Sequence, residues 1–391
     1  MLNLIEIEKN ITLNDWEVVT IGDIFKFSSG KSRPKNTSKE KTADFNIPVY
    51  GGNGILGYSN QIFLNHPTLI LGRVGEYCGC AHLTETKSWI SDNALYVKEC
   101  IHEVDLIFMK NCFEYMNLNQ YSNKMGQPLI TQGIIKEIKF GLPPLPEQRK
   151  IVHVLSTVQK AIEQQDKLIH TTTELKKALM QKLFTKGIRD ESQKETEIGL
   201  VPESWEVMKI GDVIKFSSGK LRPKNISKVK TDELIIPVYG GNGILGYSDK
   251  IFLKKTTLIL GRVGEHCGCT HLTQSMSWIT DNALYVKEQK RDVNLVFIKN
   301  CFEYLNLNQY SNKMGQPLIT QGIINDVIFG LPPRNEQNEI ADNIQIIDIK
   351  IEFLNKKKQT LTDLFKTMLY ELMTGQRRVH ELEFEKMEDF Q

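Results

Sequence analysis

The chain repeats itself. Shifted by 189 residues, Trp16 falls on Trp205, Arg73 on Arg262 and Trp89 on Trp278. Residues 16–149 and 205–338 align without a gap, and 97 of those 134 positions are identical. A period this long exceeds the ~20–50 residues of solenoid units, so each copy should be a domain in its own right. IPVYGGNGILGYS (47–59 and 236–248) and TLILGRVGE (68–76 and 257–265) recur unchanged. The longer block KNCFEY-x-NLNQYSNKMGQPLITQGII (110–135 and 299–324) differs at a single position. Differences gather at 40–46, 65–67, 85–87, 100–105 and 136–139, the pattern of loops and solvated faces. Two copies this alike should perform the same task.

Within each copy, the short runs IPVYG, TLILGRVG and NALYVKE, bounded by Gly, Asn and Pro, read as strands. The stretch 104–121 reads as helix, and together these predict an α/β or α+β domain with a mixed sheet. Each copy closes on GLPP (141–144 and 330–333), where two prolines forbid a helix through them. Beyond that boundary the apolar period becomes 3.5. Ile340, Ile344, Ile347, Ile351, Leu354, Leu361, Phe365, Met368 and Leu372 form one heptad seam, interrupted at Lys358. Ile151, Leu155, Val158, Ile162, Ile169, Leu179 and Leu183 form the other, interrupted at Gln165, Thr172 and Lys176. Leu168 and Leu175 suggest that this stripe shifts sideways, as a stutter would make it. Helices of ~39 residues would run ~58 Å, longer than a domain of this size is wide, and should pair with each other. An intervening domain must return the chain to its start, which favours an antiparallel coiled coil. The expected order is a first domain 1–146, helix 147–189, second domain 190–335, helix 336–380 and acidic tail 381–391.

Composition excludes several classes. The 391 residues carry a net charge of +2 and 40% hydrophobic residues, without an apolar run of the ~20 that a membrane span needs. Seven cysteines behind an N-terminus with no secretory pattern point to reduced thiols and a cytoplasmic protein. GxxxxGK[ST], HExxH and GxSxG are all missing, and the glycines of GGNGILG (51–57 and 240–246) run into Tyr58 and Tyr247, not into a helix with a Lys. The tripeptide CGC occurs twice, with a histidine two residues on: Cys78, Cys80, His82 and Cys267, Cys269, His271. If this were strand, the three would share a face, and a packed face is favoured over a metal site, whose usual spacing is C-x₂₋₄-C. The glycines of YGGNGILGYS are expected to form a tight turn that lets a backbone approach a ligand.

Binding features are richer. The loop GK-x-RPKN places Lys31, Arg33 and Lys35 in one copy and Lys220, Arg222 and Lys224 in the other. The charge is local: 13 basic against 12 acidic residues over 16–146, and 17 against 11 over 205–335. A local basic loop suits contact with a phosphate backbone. Around it, Gly-rich turns carry Tyr50, Asn53, Arg73, Lys124, Gln127 and Gln132, matched by Tyr239, Asn242, Arg262, Lys313, Gln316 and Gln321. Amides and guanidinium groups are the side chains able to grip base edges bidentately. No catalytic or metal-ligating set is expected.

At this point the chain resembles the DNA-specificity subunit of type I restriction–modification systems. The resemblance rests on IGLVPESWEVMKIGD (198–212), its weaker counterpart LNDWEVVTIGD (13–23), and the domain ends ITQGIIKEIKFGLPPLPEQRKIV (130–152) and ITQGIINDVIFGLPPRNEQNEIA (319–341). LMQKLFTKGIR (179–189) and MLYELMTGQRR (368–378) are similar to the ends of the family's spacer helices. The resemblance implies a non-catalytic subunit whose two target-recognition domains each read half of a split DNA site. It also implies antiparallel spacer helices that dock two modification subunits. S-adenosylmethionine would belong to those partners, and ATP and Mg to restriction subunits where a system has them. In such subunits the two recognition domains usually differ; here they are nearly the same, which implies a palindromic site. The alternatives are a modification-only or type II-like complex, and a coiled-coil scaffold that binds no DNA.

Overall fold

The computed structural model describes residues 16–123, 126–312 and 315–379. Residues 1–15, Lys124, Lys313 and the acidic tail 381–391 lie outside the described residues. In the first copy, β1 (Glu17–Thr20) pairs antiparallel with β9 (Lys139–Leu142), closing the domain's two ends on each other. A single helical turn, α1 (Ile21–Ile24), follows β1. The Thr20 hydroxyl accepts from the Asp23 amide at 3.2 Å, and the Asp23 carboxylate accepts from the Thr20 amide at 2.7 Å.

A four-stranded antiparallel sheet runs in the order β2 (Phe25–Ser29), β8 (Ala94–Cys100), β5 (Leu69–Gly72), β6 (Ala81–Leu83). A smaller mixed sheet holds β4 (Gly54–Ser59), β3 (Ile47–Gly51) and β7 (Trp89–Ile90), with β3 and β7 parallel. Successive side chains on a strand face opposite ways. Leu69, Leu71, Leu95 and Val97 therefore enter the main core, while Ile70 and Ala94 join Tyr50 and Ile90 in a second, smaller one. Strands covered on both faces need consecutive apolar residues, which is why LIL does not alternate.

The predicted helix over 104–121 is shorter. α2 spans Leu106–Met116, capped by the Asp105 carboxylate accepting from the Ile107 and Phe108 amides at 2.8 and 3.0 Å. Asn117 ends it at φ 46°, and a tight turn covers Leu118–Tyr121. The short α3 (Gln132–Lys136) leads into β9. Directly after Pro143 and Pro144 begins α4 (Leu145–Lys186), 42 residues long.

After a hairpin of β10 (Gln193–Thr196) and β11 (Gly199–Pro202), the second copy repeats the first. Its elements are β12 (Glu206–Lys209), α5 (Ile210–Val213), β13 (Ile214–Ser218), β14 (Ile236–Gly240), β15 (Gly243–Ser248) and β16 (Leu258–Gly261). They continue with β17 (Thr270–Leu272), β18 (Trp278–Ile279), β19 (Ala283–Gln289), α6 (Leu295–Tyr304), α7 (Gln321–Asn325) and β20 (Ile328–Leu331). The last helix, α8, spans Arg334–Met373.

The chain divides into two compact units, 1–165 with 357–391, and 166–356. Each holds one copy, the first half of one long helix and the last half of the other. In the first unit Ile151 and Leu155 of α4 share a core with Leu369, Leu372 and Met373 of α8. In the second, Ile340 and Ile344 of α8 share a core with Met180, Leu183 and Phe184 of α4. Within either unit the start of one helix packs at the domain beside the end of the other, the antiparallel sense expected from the sequence.

The seam of α8 is buried or half-buried from Ile340 to Leu372, including Lys358, while Ile346, Ile349 and Phe353 off the seam are exposed. The stutter expected in α4 is absent. Gln165 is buried, Ile169, Thr172 and Lys176 are half-buried, and Leu168 and Leu175 are 48% and 58% exposed. The stripe runs straight through its polar positions because a continuous helix keeps its phase; the two leucines face solvent.

Candidate nucleic-acid interface

Within the first copy, the basic loop lies against the β3–β4 hairpin. The Ser38 amide donates to the Tyr58 carbonyl and the Tyr58 amide to the Ser38 carbonyl, both at 2.8 Å. Gly57 makes this possible: its φ is +151°, and a Cβ there would stand 2.6 Å from the Ser38 carbonyl oxygen. The hairpin glycines thus admit another stretch of the same backbone, and the sequence's expectation of a ligand-facing turn is corrected for this position. Lys31 donates its amide to the Ile90 carbonyl at 2.9 Å and holds its ammonium 4.9 Å from the Phe63 ring centroid. Lys220 does the same over Phe252 at 4.6 Å. Arg33 donates through Nη2 to Thr37 Oγ1 at 3.1 Å and to the Leu56 carbonyl at 3.5 Å. In the second copy Ile226 stands where the first has Thr37, so Arg222 lacks that hydroxyl acceptor. Lys35, Arg222 and Lys224 are exposed.

Beside this loop, four backbone segments converge. The Arg73 amide donates to the Asn93 carbonyl, the Gly75 amide to the Pro128 carbonyl and the Ile130 amide to the Arg73 carbonyl, each at 2.9 Å. A Cβ on Gly72 would collide with the Tyr77 carbonyl and stand 2.7 Å from the Gly52 carbonyl, so only glycine lets the hairpin tip touch this loop. Gln127 lays its Nε2 3.6 Å from where a Cβ on Gly75 would stand, and Gln316 repeats this at Gly264 at 3.5 Å. Asn53 at the hairpin tip, Arg73 and Gln127 therefore belong to one cluster; Asn242, Arg262 and Gln316 form its twin. Arg73 and Arg262 are half-buried, and the Nε of Arg262 is buried without a hydrogen-bond partner among the described residues.

Other candidates sit elsewhere. Tyr50 and Tyr239 are core residues, 5% and 4% exposed, whose hydroxyls accept from the Glu85 and Gln274 amides at 3.1 Å. Burial pushes both phenols up from their ordinary value. Gln132 and Gln321 open α3 and α7 and are half-buried. The CGC tripeptide is a turn, with strand beginning only at Ala81, because Gly79 adopts φ +84°. Cys78 is buried, its thiol donating to the Arg73 carbonyl at 3.3 Å, while Cys80 is exposed, so the shared strand face is overturned. Burial pushes the Cys78 and Cys267 thiols up, away from a reactive thiolate. Among the described residues no group of three His, Cys, Asp or Glu side chains is placed to hold a metal.

Sequence reasoning missed the residues that seat each copy on its helices. Gln148 accepts from the Asp105 amide and donates to the Pro143 carbonyl, both at 2.9 Å; Gln337 does the same with Asn294 and Pro332. Glu147 accepts from Trp16 Nε1 at 3.3 Å and pairs with Arg378 at 2.9 Å, while Glu336 accepts from Trp205 Nε1 at 3.3 Å and the Ile188 amide at 3.0 Å. The available signal was a polar Glu-Gln pair recurring after both proline pairs.

The family model for the type I restriction modification DNA specificity domain matches residues 14–170 and 202–363. The MjaVIII specificity subunit of Methanocaldococcus jannaschii, a type I restriction enzyme subunit, is 26% identical over 407 residues, covering 95% of each chain. The type I restriction–modification S subunit from M. genitalium superposes with a TM-score of 0.64 at 17% identity, over 92% of this chain and 96% of that one. A chain from a structure on assembly and conformational transition of a type I system gives 0.57 at 15%, over 93% and 98%. These two likenesses are of fold.

Proposed function

The chain belongs to the type I restriction–modification DNA-specificity family, and from that premise we propose that it is the subunit that reads DNA and positions the modification subunits. The observation that carries the reading is the doubled cluster: an amide, a guanidinium and a second amide on convergent turns, beside a loop of lysines and arginine. Asn53, Arg73 and Gln127, with Asn242, Arg262 and Gln316, supply the donor and acceptor pairs that base edges require. Lys31, Arg33, Lys35, Lys220, Arg222 and Lys224 supply phosphate contacts, which position without specifying.

The subunit is proposed to be non-catalytic. The side chains assigned to the interface are amides and cations, and the buried thiols Cys78 and Cys267 are shifted away from ionisation. Methyl transfer from S-adenosylmethionine falls to two modification partners, and ATP with Mg to restriction partners where present. Because the two copies share these contact residues, the target is proposed to be an interrupted inverted repeat. Methylome sequencing of a host expressing the chain with its modification subunit tests this. Methylation at a bipartite inverted repeat is expected; two unrelated half-sites would overturn the symmetric reading. DNA binding by the assembled complex should weaken steeply with salt, and binding that ignores salt would remove the basic loops from the interface.

A further inference from the structure

The two reading clusters are almost the same, and the places where they differ are few. Across 51–54, 72–77, 91–93 and 126–130, the copies differ at two positions only: Ser91 against Thr280 and Tyr77 against His266. Ser91 and Thr280 are buried, at 1% exposure each. Tyr77 is 44% exposed, and His266 is exposed too. Each stands on the same closely tied loop of its own copy. Gly72 and Cys80 are joined by an amide-to-carbonyl bond at 2.8 Å, Gly79 donates to the Gly72 carbonyl at 2.8 Å, and Cys78 to the Gly75 carbonyl at 3.0 Å. Asn119 Nδ2 ties the loop down on the Cys78 carbonyl at 2.9 Å. The second copy repeats each tie: Gly261 to Cys269 at 2.7 Å, Gly268 to Gly261 at 2.8 Å, Cys267 to Gly264 at 3.0 Å and Asn308 Nδ2 to Cys267 at 2.7 Å.

We propose that residue 77 and its counterpart 266 are a specificity-determining pair, so that the two half-sites match except at one base pair. The proposal rests on the DNA-reading function proposed above. Identical frames present different chemistry at one point. Tyrosine offers a long ring with a single hydroxyl at its far end; histidine offers a shorter ring whose nitrogens can donate and accept. These cannot serve one base edge equally, and a difference of about tenfold in preference at that base pair is the expected scale. A side chain on a backbone this closely tied has little freedom to accommodate the wrong base.

The test is the methylome of a host expressing the full chain with its modification subunit, as wild type, Tyr77→His, His266→Tyr and the double exchange. The wild-type motif is expected to be an inverted repeat broken at one base pair. Tyr77→His should give a perfect repeat of the second half-site, and His266→Tyr a perfect repeat of the first. The double exchange should return the wild-type motif, because swapping the halves of an inverted repeat gives the same duplex read from its other strand. Each exchange installs the side chain that the other copy already carries in the same frame, and recovery in the double variant excludes a folding defect. Single variants with an unchanged motif would overturn the proposal while leaving the DNA-reading function standing. A wild-type chain that directs no methylation would overturn both.

Discussion

At the scale of single residues, groups that look alike in the sequence have different tasks. Arg33 is engaged with Thr37 and the Leu56 carbonyl, whereas Arg222 has lost the hydroxyl to Ile226. Arg222→Ala should therefore weaken binding to all DNA sequences alike and shallow the salt slope by about one unit, read by titration at several salt concentrations. Relaxation at particular bases instead would make it a base reader. Gln127→Ala or Gln316→Ala should act oppositely, relaxing one position per half-site by about 1–3 kcal/mol with the salt slope unchanged. Gln148 and Gln337 lie in the core of the joint. Gln337→Ala leaves the Asn294 amide and the Pro332 carbonyl without their partner, and should cost about 1–3 kcal/mol in denaturant unfolding. The Cys, Gln and Glu residues at these turns gave no hint in the sequence of which would be buried, because turn residues have no period from which to read a face.

At the scale of elements, the long helices show how far periodicity reaches. Leu183 is 5% exposed and Leu175 58%, although both are leucines of the same helix. Leu183→Ala should cost about 2–5 kcal/mol, whereas Leu175→Ala should stay within about 0.5 kcal/mol. The polar interruption at Lys176 has a structural reason. Its ammonium lies 2.8 Å from Glu303 and 2.9 Å from Asp348, at a position that Phe365 holds in the other repeat. Burial opposes the charge on Lys176, yet hydrogen bonds with Glu303 and Asp348 hold it above the ordinary lysine value. Burial likewise opposes the charge on Glu303, and Lys176 and Lys299 hold it below the usual carboxylate range. A lowered acid stabilises above its ordinary value and ceases to as pH falls through its folded one; the raised lysine is lost only at high pH. Unfolding followed across pH should show this cluster's contribution fading on the acid side, and Lys176→Met should cost about 1–2 kcal/mol at neutral pH, given partial solvent screening. A variant whose acid loss equals the wild type's would remove Glu303 from that account.

At the scale of the whole molecule, each unit borrows the end of a helix that begins beside the other copy. A fragment of residues 1–200 carries the start of α4, with Ile151 and Leu155, and its end, with Met180, Leu183 and Phe184. Two such fragments can supply each other with what α8 supplies in the full chain, where Leu369, Leu372 and Met373 fill the equivalent places. The fragment should sediment as a homodimer weaker than the intact arrangement, since Gln165, Thr172 and Lys176 interrupt its seam. A monomer at micromolar concentration would contradict this. The repeat, the strand runs, the proline boundaries and the heptad seams were all legible from sequence, because identity and period are properties of residue order. So was the list of polar turn residues. What residue order could not convey is which of them meet: Tyr50 turns into a core, Gly79 bends CGC out of a strand, and Gln127 comes beside Gly75 across some fifty residues. Those outcomes depend on backbone segments approaching where only glycine leaves room, and such approaches exist only once the chain has closed on itself. The sequence by itself determined that two like domains are joined by paired helices; the tertiary structure decided which side chains stand together on their surface.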